Sequence, residues 1–417
     1  MADRRLRVLL SEGSSLTARE VVTLLGRRGH VVEVLDPNPF GIARFSRFVR
    51  RWHHSPPFAA DPDAYLRFVA DLLDRERFDV LLPTHEQALL FARFRDSLGR
   101  RAGLAVADYD AYLALQDKAS FSRLIESLGL PQPQTIVATN AADLAGWSAF
   151  PAYLKTAYGA SSAGVWRVAD EGELGALADR LADAGRLGPD RPVIVQRAVV
   201  GDFLMVATVF DRGRPLAIHT ARRLVAGAQG SSSAKISAVV PDVLDHVARL
   251  GAHLRWHGAL ALDAIVDEAT RQPMYIDANP RLVEPANAAL GGADLVELLV
   301  ELSLGESPEP VASRPGARTH MLGTALLGVA QRGGSRRALL GEIAKAAIGV
   351  RAYRDSVEEL FPLRMDPPAG LALGYILAFL FASPSGAVEA LTRSAASLSL
   401  TGESLAAIAA LPKDLIG

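Results

Sequence analysis

The chain has no cysteine in its 417 residues. That excludes disulfides, thiolate metal sites and a cysteine nucleophile, and it fits a reducing compartment. It also lacks a charge imbalance. Its 45 Lys and Arg stand against 46 Asp and Glu, a formal net charge of −1, so no global field draws it to nucleic acid. The opening residues, MADRRLRVLL, carry charge but no sustained apolar run. No secretory signal is read there, and the cytoplasm is the expected compartment. A membrane span is missing too. The uncharged stretch AGLALGYILAFLFAS at 369–383 falls short of the about 18–20 residues that a spanning helix needs, and Pro384 closes it. It reads as a buried helix, with a peripheral membrane contact as the alternative. Finally, the first turn, SEGSSLTAR, is neither G-x-G-x-x-G nor G-x-x-x-x-G-K-[ST]. Neither a dinucleotide fingerprint nor a P-loop is present there.

What is present is enough chain for two or three domains. Residues 5–36 read as strand, helix, strand: LRVLL, LTAREVVTLLGRRG ending at Gly29, then HVVEVLD. This is an open α/β start. Ser14 and Ser15 stand before the helix, where they either cap it or meet an anion. FSRFVRRWHHSPP reads as a solvated helix face, with contact to an anionic substrate as the alternative. FDVLLPTHEQALLFARF reads as a strand, a turn and a helix. Thr84 and Gln87 fit the N-cap and N3 positions of a capping box. His85 and Glu86 fall at the carboxyl end of that strand, where open α/β sheets place ligands, and are candidate site residues.

Beyond residue 108 the pattern changes. A helix (LQDKASFSRLIESLGLPQPQ) precedes strands broken by the loop YGASSAGV and by the turns GD and DRGR. VPDVLDHVARLGAHLRW is helical, and GALALDAIVDEATRQPMYIDANPRL reads as a hairpin. ESPEPVASRPGAR, after about residue 306, reads as a linker to a mostly helical tail. No internal repeat is found.

The hairpin carries the chemistry. In a strand, residues two apart share a face, so Asp277, Asn279 and Arg281 point one way while Ile276 and Ala278 point into a core. Pro280, without an N–H, ends the strand. A face of this composition suits Mg²⁺, a hard cation that takes oxygen ligands, with the guanidinium reaching a phosphate. An ion pair on a strand edge has the same composition. Asp263, inside the apolar LALDAIV of the preceding strand, can join Asp277 on one face. In YGASSAGV, small residues let backbone N–H groups approach a phosphate, and Lys155 stands just before it; flexible hairpin loops share that composition.

The order of these elements resembles the ATP-grasp superfamily of ATP-dependent carboxylate ligases, including its biotin carboxylase-like and carbamoyl phosphate synthase-like members. The resemblance runs from about Asp117 to Gly305, and the α/β start resembles the family's preceding domain. DKASFSRLIESLGLPQPQ resembles the lysine-bearing helix and its exit, which makes Lys118 the first phosphate-binding lysine. PAYLKTAYGASSAGV resembles the second lysine and the phosphate flap: Lys155, then Gly159, Ser161, Ser162 and Gly164. VIVQRAVVGD resembles the adenine hinge. That places Gln196 at the adenine amine, Arg197 and Val199 as backbone contacts, and Asp202 at the ribose. IDANPRLVEPANAALGGADLVELLVELSLG resembles the family's closing motif. It implies Asp263, Asp277 and Asn279 as Mg²⁺ ligands and Arg281, with Lys155, as the catalytic cations. There are departures. Both metal carboxylates are Asp where the family often has Glu, Thr156 replaces a Pro, and Arg197 replaces a common acidic residue.

The resemblance implies an α/β pre-ATP-grasp domain over 1–108 and an α+β ATP-grasp domain over 109–305, with its nucleotide-binding subdomain at about 118–202. A mainly helical C-terminal region follows over 306–417. It implies ATP with one or two Mg²⁺ (or Mn²⁺), and a ligase joining a small-molecule carboxylate, activated as an acyl phosphate, to an amine. Arg222, Arg223, Lys235 and Glu86 are candidate substrate contacts, the first three being equally readable as solvated turn charges. The alternatives are a carboxylase or carbamoyl-phosphate-type enzyme, and a non-catalytic ATP sensor or scaffold. A homodimer is common in the family.

Overall fold

The computed structural model describes residues 4–159 and 164–417. The chain opens on a parallel sheet in the spatial order Val49–His54, Val31–Asp36, Arg7–Leu10, Val80–Leu82. Val8, Leu9 and Leu10 are fully buried, as a sheet covered on both faces requires. Ser15 caps the first helix, Leu16–Arg27, by accepting from the amide of Ala18.

Two local expectations fail here. Val49–His54 is an edge strand, not a helix. Its exposed Arg51 pairs with Glu76 at 2.7 Å, and its buried His53 meets Glu33 at 2.7 Å. Outward charges of this kind discourage pairing with another chain. The capping box is also absent. The helix is Gln87–Arg93 and has no side-chain cap. Thr84 donates instead to buried Glu12 at 2.9 Å, and Gln87 accepts from Ser11 at 3.3 Å. A neighbouring strand end outcompetes the local motif.

A second, antiparallel sheet has the order Thr135–Ala138, Val193–Arg197, Ala152–Thr156, Val165–Val168, and Glu171–Asp183 supplies its helix. The third sheet has seven strands: Pro273–Asn279, Gly258–Asp267, Gly201–Asp211, Arg214–Ala226, Ser232–Ala238, Arg318–His320 and Val357–Glu358. Its last two strands come from beyond residue 305. The stretch expected as a linker runs along this sheet, with the Val311 amide donating to Leu216 at 2.7 Å and the Arg314 amide to Gly291 at 2.8 Å. Helices Leu322–Gln331, Arg336–Ile348, Ala369–Ala382, Pro384–Leu398 and Gly402–Ala410 account for most of the remainder. Among the described residues no helix is long and apolar enough to cross a membrane.

One apolar core runs from the first sheet into the third and includes Phe91, Tyr112, Trp256, Tyr275 and Ile408. Residues 411–416 pack back against the helices that follow the first sheet: Arg101 donates to the Ile416 carbonyl at 2.7 Å, and Arg93 to that of Leu411 at 2.8 Å. Arg19 and Asp366, both fully buried, pair at 2.7 Å. Asp366 also accepts from the Ser46 hydroxyl at 2.6 Å and the Arg47 amide at 2.8 Å, so its desolvation is compensated.

Lys235 is another buried cation. Its Nζ lies 2.6 Å from Glu284 and 3.0 Å from Glu359, with Glu20 acting on it from nearby. Burial opposes its charge, but the three carboxylates outweigh burial and raise its pKa. Lys235→Met should therefore strand a group of buried acids and lower the unfolding free energy by about 3–5 kcal/mol in urea titration. Adding Glu284→Gln and Glu359→Gln should restore part of that loss.

Candidate active site

Strands Gly258–Asp267 and Pro273–Asn279 run antiparallel and place Asp263 directly opposite Asp277. Between Asp277 and Tyr275 the register slips by one residue, a β-bulge that leaves Ile276 without an opposite partner. The bulge changes the alternation. Tyr275 turns into the core, at 1% exposure, while Ile276 lines the same cavity as Asp277. The expectation that Ile276 points into the core is thus corrected. Asn279 Nδ2 stands 3.5 Å from Asp263, and Arg281 donates to Asn279 Oδ1 at 3.1 Å.

Two lysines come from other elements. Lys118, at the start of helix Lys118–Ser127, lies 3.1 Å from Asp277 and donates to the Gly159 carbonyl at 3.1 Å. Lys155 donates to Gln196 Oε1 at 2.8 Å and to the carbonyl of bulged Ile276 at 2.9 Å. Burial, with Asp277 and Glu284 adding to it, pushes the Asp263 carboxyl up to about 7. Burial also brings Lys155 down to about 8, against the pull of Asp277.

The remaining expected residues divide. Gly159 and Gly164 have φ of +146° and +79°, and a Cβ on Gly164 would meet the Thr156 hydroxyl at 2.2 Å. The departure at Thr156 thus braces this turn, its hydroxyl donating to the Tyr158 carbonyl at 2.9 Å. Ser161 and Ser162 lie outside the described residues. Arg197 and Val199 line the cavity. Gln196 lines it as well, its amide oxygen accepting from Lys155 and its amide nitrogen donating to Thr135 at 3.1 Å. It thereby positions the lysine at the cavity wall.

Asp202 is largely exposed, 3.9 Å from Arg222, and neither lines the cavity. Arg223 does, with its guanidinium 4.1 Å from the centre of the Phe203 ring. Lys235 is held by Glu284 and Glu359, which removes it as a free contact for an acid. Glu86 lines the cavity and accepts from the Leu400 amide. Burial raises its pKa and Arg281 opposes the shift. Burial and Arg281 together lower the pKa of His85, keeping it neutral.

These residues share one cavity of about 660 Å³, within the range of small-molecule sites. Sequence reasoning missed its apolar walls. Met205 lies directly opposite Asp263, and Phe203 opposite Ile265, so all four share one sheet face. The alternation argument, carried one strand further, would have found them.

Asp263, Asp277 and Asn279 offer hard oxygen donors, and a divalent cation would offset both the burial and the neighbouring carboxylate charge that raise Asp263. The donor set therefore fits Mg²⁺.

No protein-family model matches the sequence. The carbamoyl phosphate synthase large chain of Thermoanaerobacter pseudethanolicus is 21% identical over 231 residues, which is 52% of this chain and 21% of that protein. This chain thus spans about a fifth of that relative's length. Among solved structures, the L-amino acid ligase of Bacillus licheniformis superposes with a TM-score of 0.58 at 16% identity. The superposition covers 76% of this chain and 81% of that one. The biotin carboxylase domain of Hydrogenobacter thermophilus 2-oxoglutarate carboxylase, solved with MgADP, ADP and bicarbonate, gives 0.60 at 13%, covering 76% and 74%. The chain has the ATP-grasp fold.

Asp263 favours its neutral form in the folded protein, so its contribution to stability is complete below about pH 4 and is lost as pH rises through about 7. Asp263→Asn should therefore raise the Tm of the metal-free protein, and by more at pH 8 than at pH 6. Added Mg²⁺ should raise the wild-type Tm at pH 8 and leave the variant nearly unmoved.

Proposed function

We propose that the chain is an ATP-dependent carboxylate–amine ligase that activates a small-molecule acid as an acyl phosphate. One observation carries this reading: Lys118, Lys155 and Arg281 converge on the facing carboxylates Asp263 and Asp277 within a single cavity. Phosphoryl transfer asks a protein mainly for positioning and charge neutralisation, and that is what this arrangement offers.

Met205, Ile265 and Ile276 give the nucleotide base apolar walls, and the segment Arg197–Val199 offers backbone groups at its edge. Lys118 is pre-aimed by Asp277 and the Gly159 carbonyl, and Lys155 by Gln196 and the Ile276 carbonyl. Near neutral pH Lys155 keeps its proton and meets the phosphates as a cation. Mg²⁺, held by Asp263, Asp277 and Asn279, supplies further charge neutralisation when bound. Arg281, steadied by Asn279, stabilises the group in transfer. A carboxylate oxygen of the acid bonds to the γ-phosphorus while the bond from that phosphorus to the bridging oxygen breaks and ADP leaves. The amine then bonds to the acyl carbon, phosphate departs, and the amine's extra proton passes to solvent.

The test is ADP release from Mg–ATP with pooled carboxylates and hydroxylamine, which traps an acyl phosphate as hydroxamate. ADP and hydroxamate should appear together. Arg281→Ala should lower kcat roughly 100- to 1,000-fold while Mg–ATP binding persists. ADP with bicarbonate alone would favour the carboxylase reading. Mg–ATP binding with no turnover of any acid would favour a sensor.

A further inference from the structure

Helix Ala369–Ala382 has no charged residue, yet it is only partly buried. Ala372 and Leu380 are packed away, whereas Tyr375 is 69% exposed. Its Tyr375, Ile376 and Phe379 line the cavity that holds Asp277 and Arg281. Two more helices do the same. Leu322–Gln331 contributes Thr324 and Leu327, and Pro384–Leu398 contributes Ala387, Ala390 and Leu391. These are three- and four-residue spacings, so each helix turns one face toward the cavity. Leu360 and Phe361 extend the wall. Among the described residues, none that lines the cavity from beyond residue 306 is charged.

The cavity therefore has an ionic pole and an apolar pole. They adjoin at Arg281, whose charge acts on Glu86, and Glu86 holds the Leu400 amide just past helix Pro384–Leu398. A nucleotide accounts for the ionic pole and for the walls around Met205 and Ile265. It does not account for three helices presenting Leu327, Ile376, Phe379 and Leu391 to the same space.

We propose that the acid activated here carries an extended apolar tail, alkyl or aryl, seated against helices Leu322–Gln331, Ala369–Ala382 and Pro384–Leu398. Its carboxylate lies toward Arg281 and Arg223. This rests on the carboxylate-activation reading above and adds the class of substrate.

The test uses the full chain and two measurements. The first is binding, by calorimetry in the presence of a Mg complex of a non-hydrolysable ATP analogue, of straight-chain acids from butanoate to decanoate, of phenylpropanoate and of chain-matched dicarboxylates. The second is ADP and hydroxamate formation with the same acids and Mg–ATP. Affinity should rise about fourfold per methylene buried, and the dicarboxylates should bind worst. Phe379→Ala, and separately Ile376→Ala, should flatten the dependence on chain length, with nucleotide binding on the same preparations reporting that each variant is folded. A preference for short or doubly charged acids, with ADP and hydroxamate formed, would overturn the apolar site and leave the ligase reading standing. Chain-length-dependent binding without ADP would support the apolar site and sink the ligase reading. No binding of any apolar acid to a protein that holds the nucleotide would overturn the proposal.

Discussion

Two carboxylates, Asp263 and Asp277, face each other across neighbouring strands on the wall of one cavity. Like charges so placed repel, and the repulsion is the constraint around which the cavity is arranged. Lys118 answers it from a helix, Lys155 from the second sheet and Arg281 from the loop beyond Pro280. Each cation is in turn fixed by a neutral partner: the Gly159 carbonyl, Gln196 and Asn279. The site thus draws on the second and third sheets, and its geometry depends on how the two are held against one another.

The first helix, the third sheet and the C-terminal region are tied together by buried ionic groups as well as by apolar packing. Arg19 reaches from the first helix to Asp366 near the C-terminal helices. Lys235, on the large sheet, gathers Glu284 from the loop after strand Pro273–Asn279 and Glu359 from just past the sheet's last strand. Such pairs add little net stability compared with well-packed apolar residues, but leaving one unpaired is expensive. They act as alignment pins: an arrangement that misplaced the C-terminal region would leave charges stranded.

Much of this was legible in the sequence. Asp277, Asn279 and Arg281, with Asp263 and the two lysines, stand out from sequence order and line one cavity. What was not legible depends on partners far away in the chain. That Gln196 holds Lys155 follows from a pairing between strands 41 residues apart. Lys235 looked available and is enclosed by acids that follow it by 49 residues and more. Thr84 and Gln87 matched a local capping pattern, but Glu12 and Ser11, over seventy residues earlier, claim their side chains. The uncharged helix Ala369–Ala382 read as core because composition reports how apolar a face is and not what it faces.

The bulge at Ile276 has a further consequence, for how such a chain can vary. The extra residue lets Asp277 and Tyr275 serve opposite sides of one strand although they are two positions apart. Side chains along this strand can be exchanged for others of similar kind and leave that division intact. Deleting Ile276 would restore regular pairing, with Asp277 still opposite Asp263 and Tyr275 still opposite Ala264, but it would remove the carbonyl that accepts from Lys155 and one apolar wall of the cavity. Relatives that hold the lysine in this way should therefore differ here by substitution and not by a change in length.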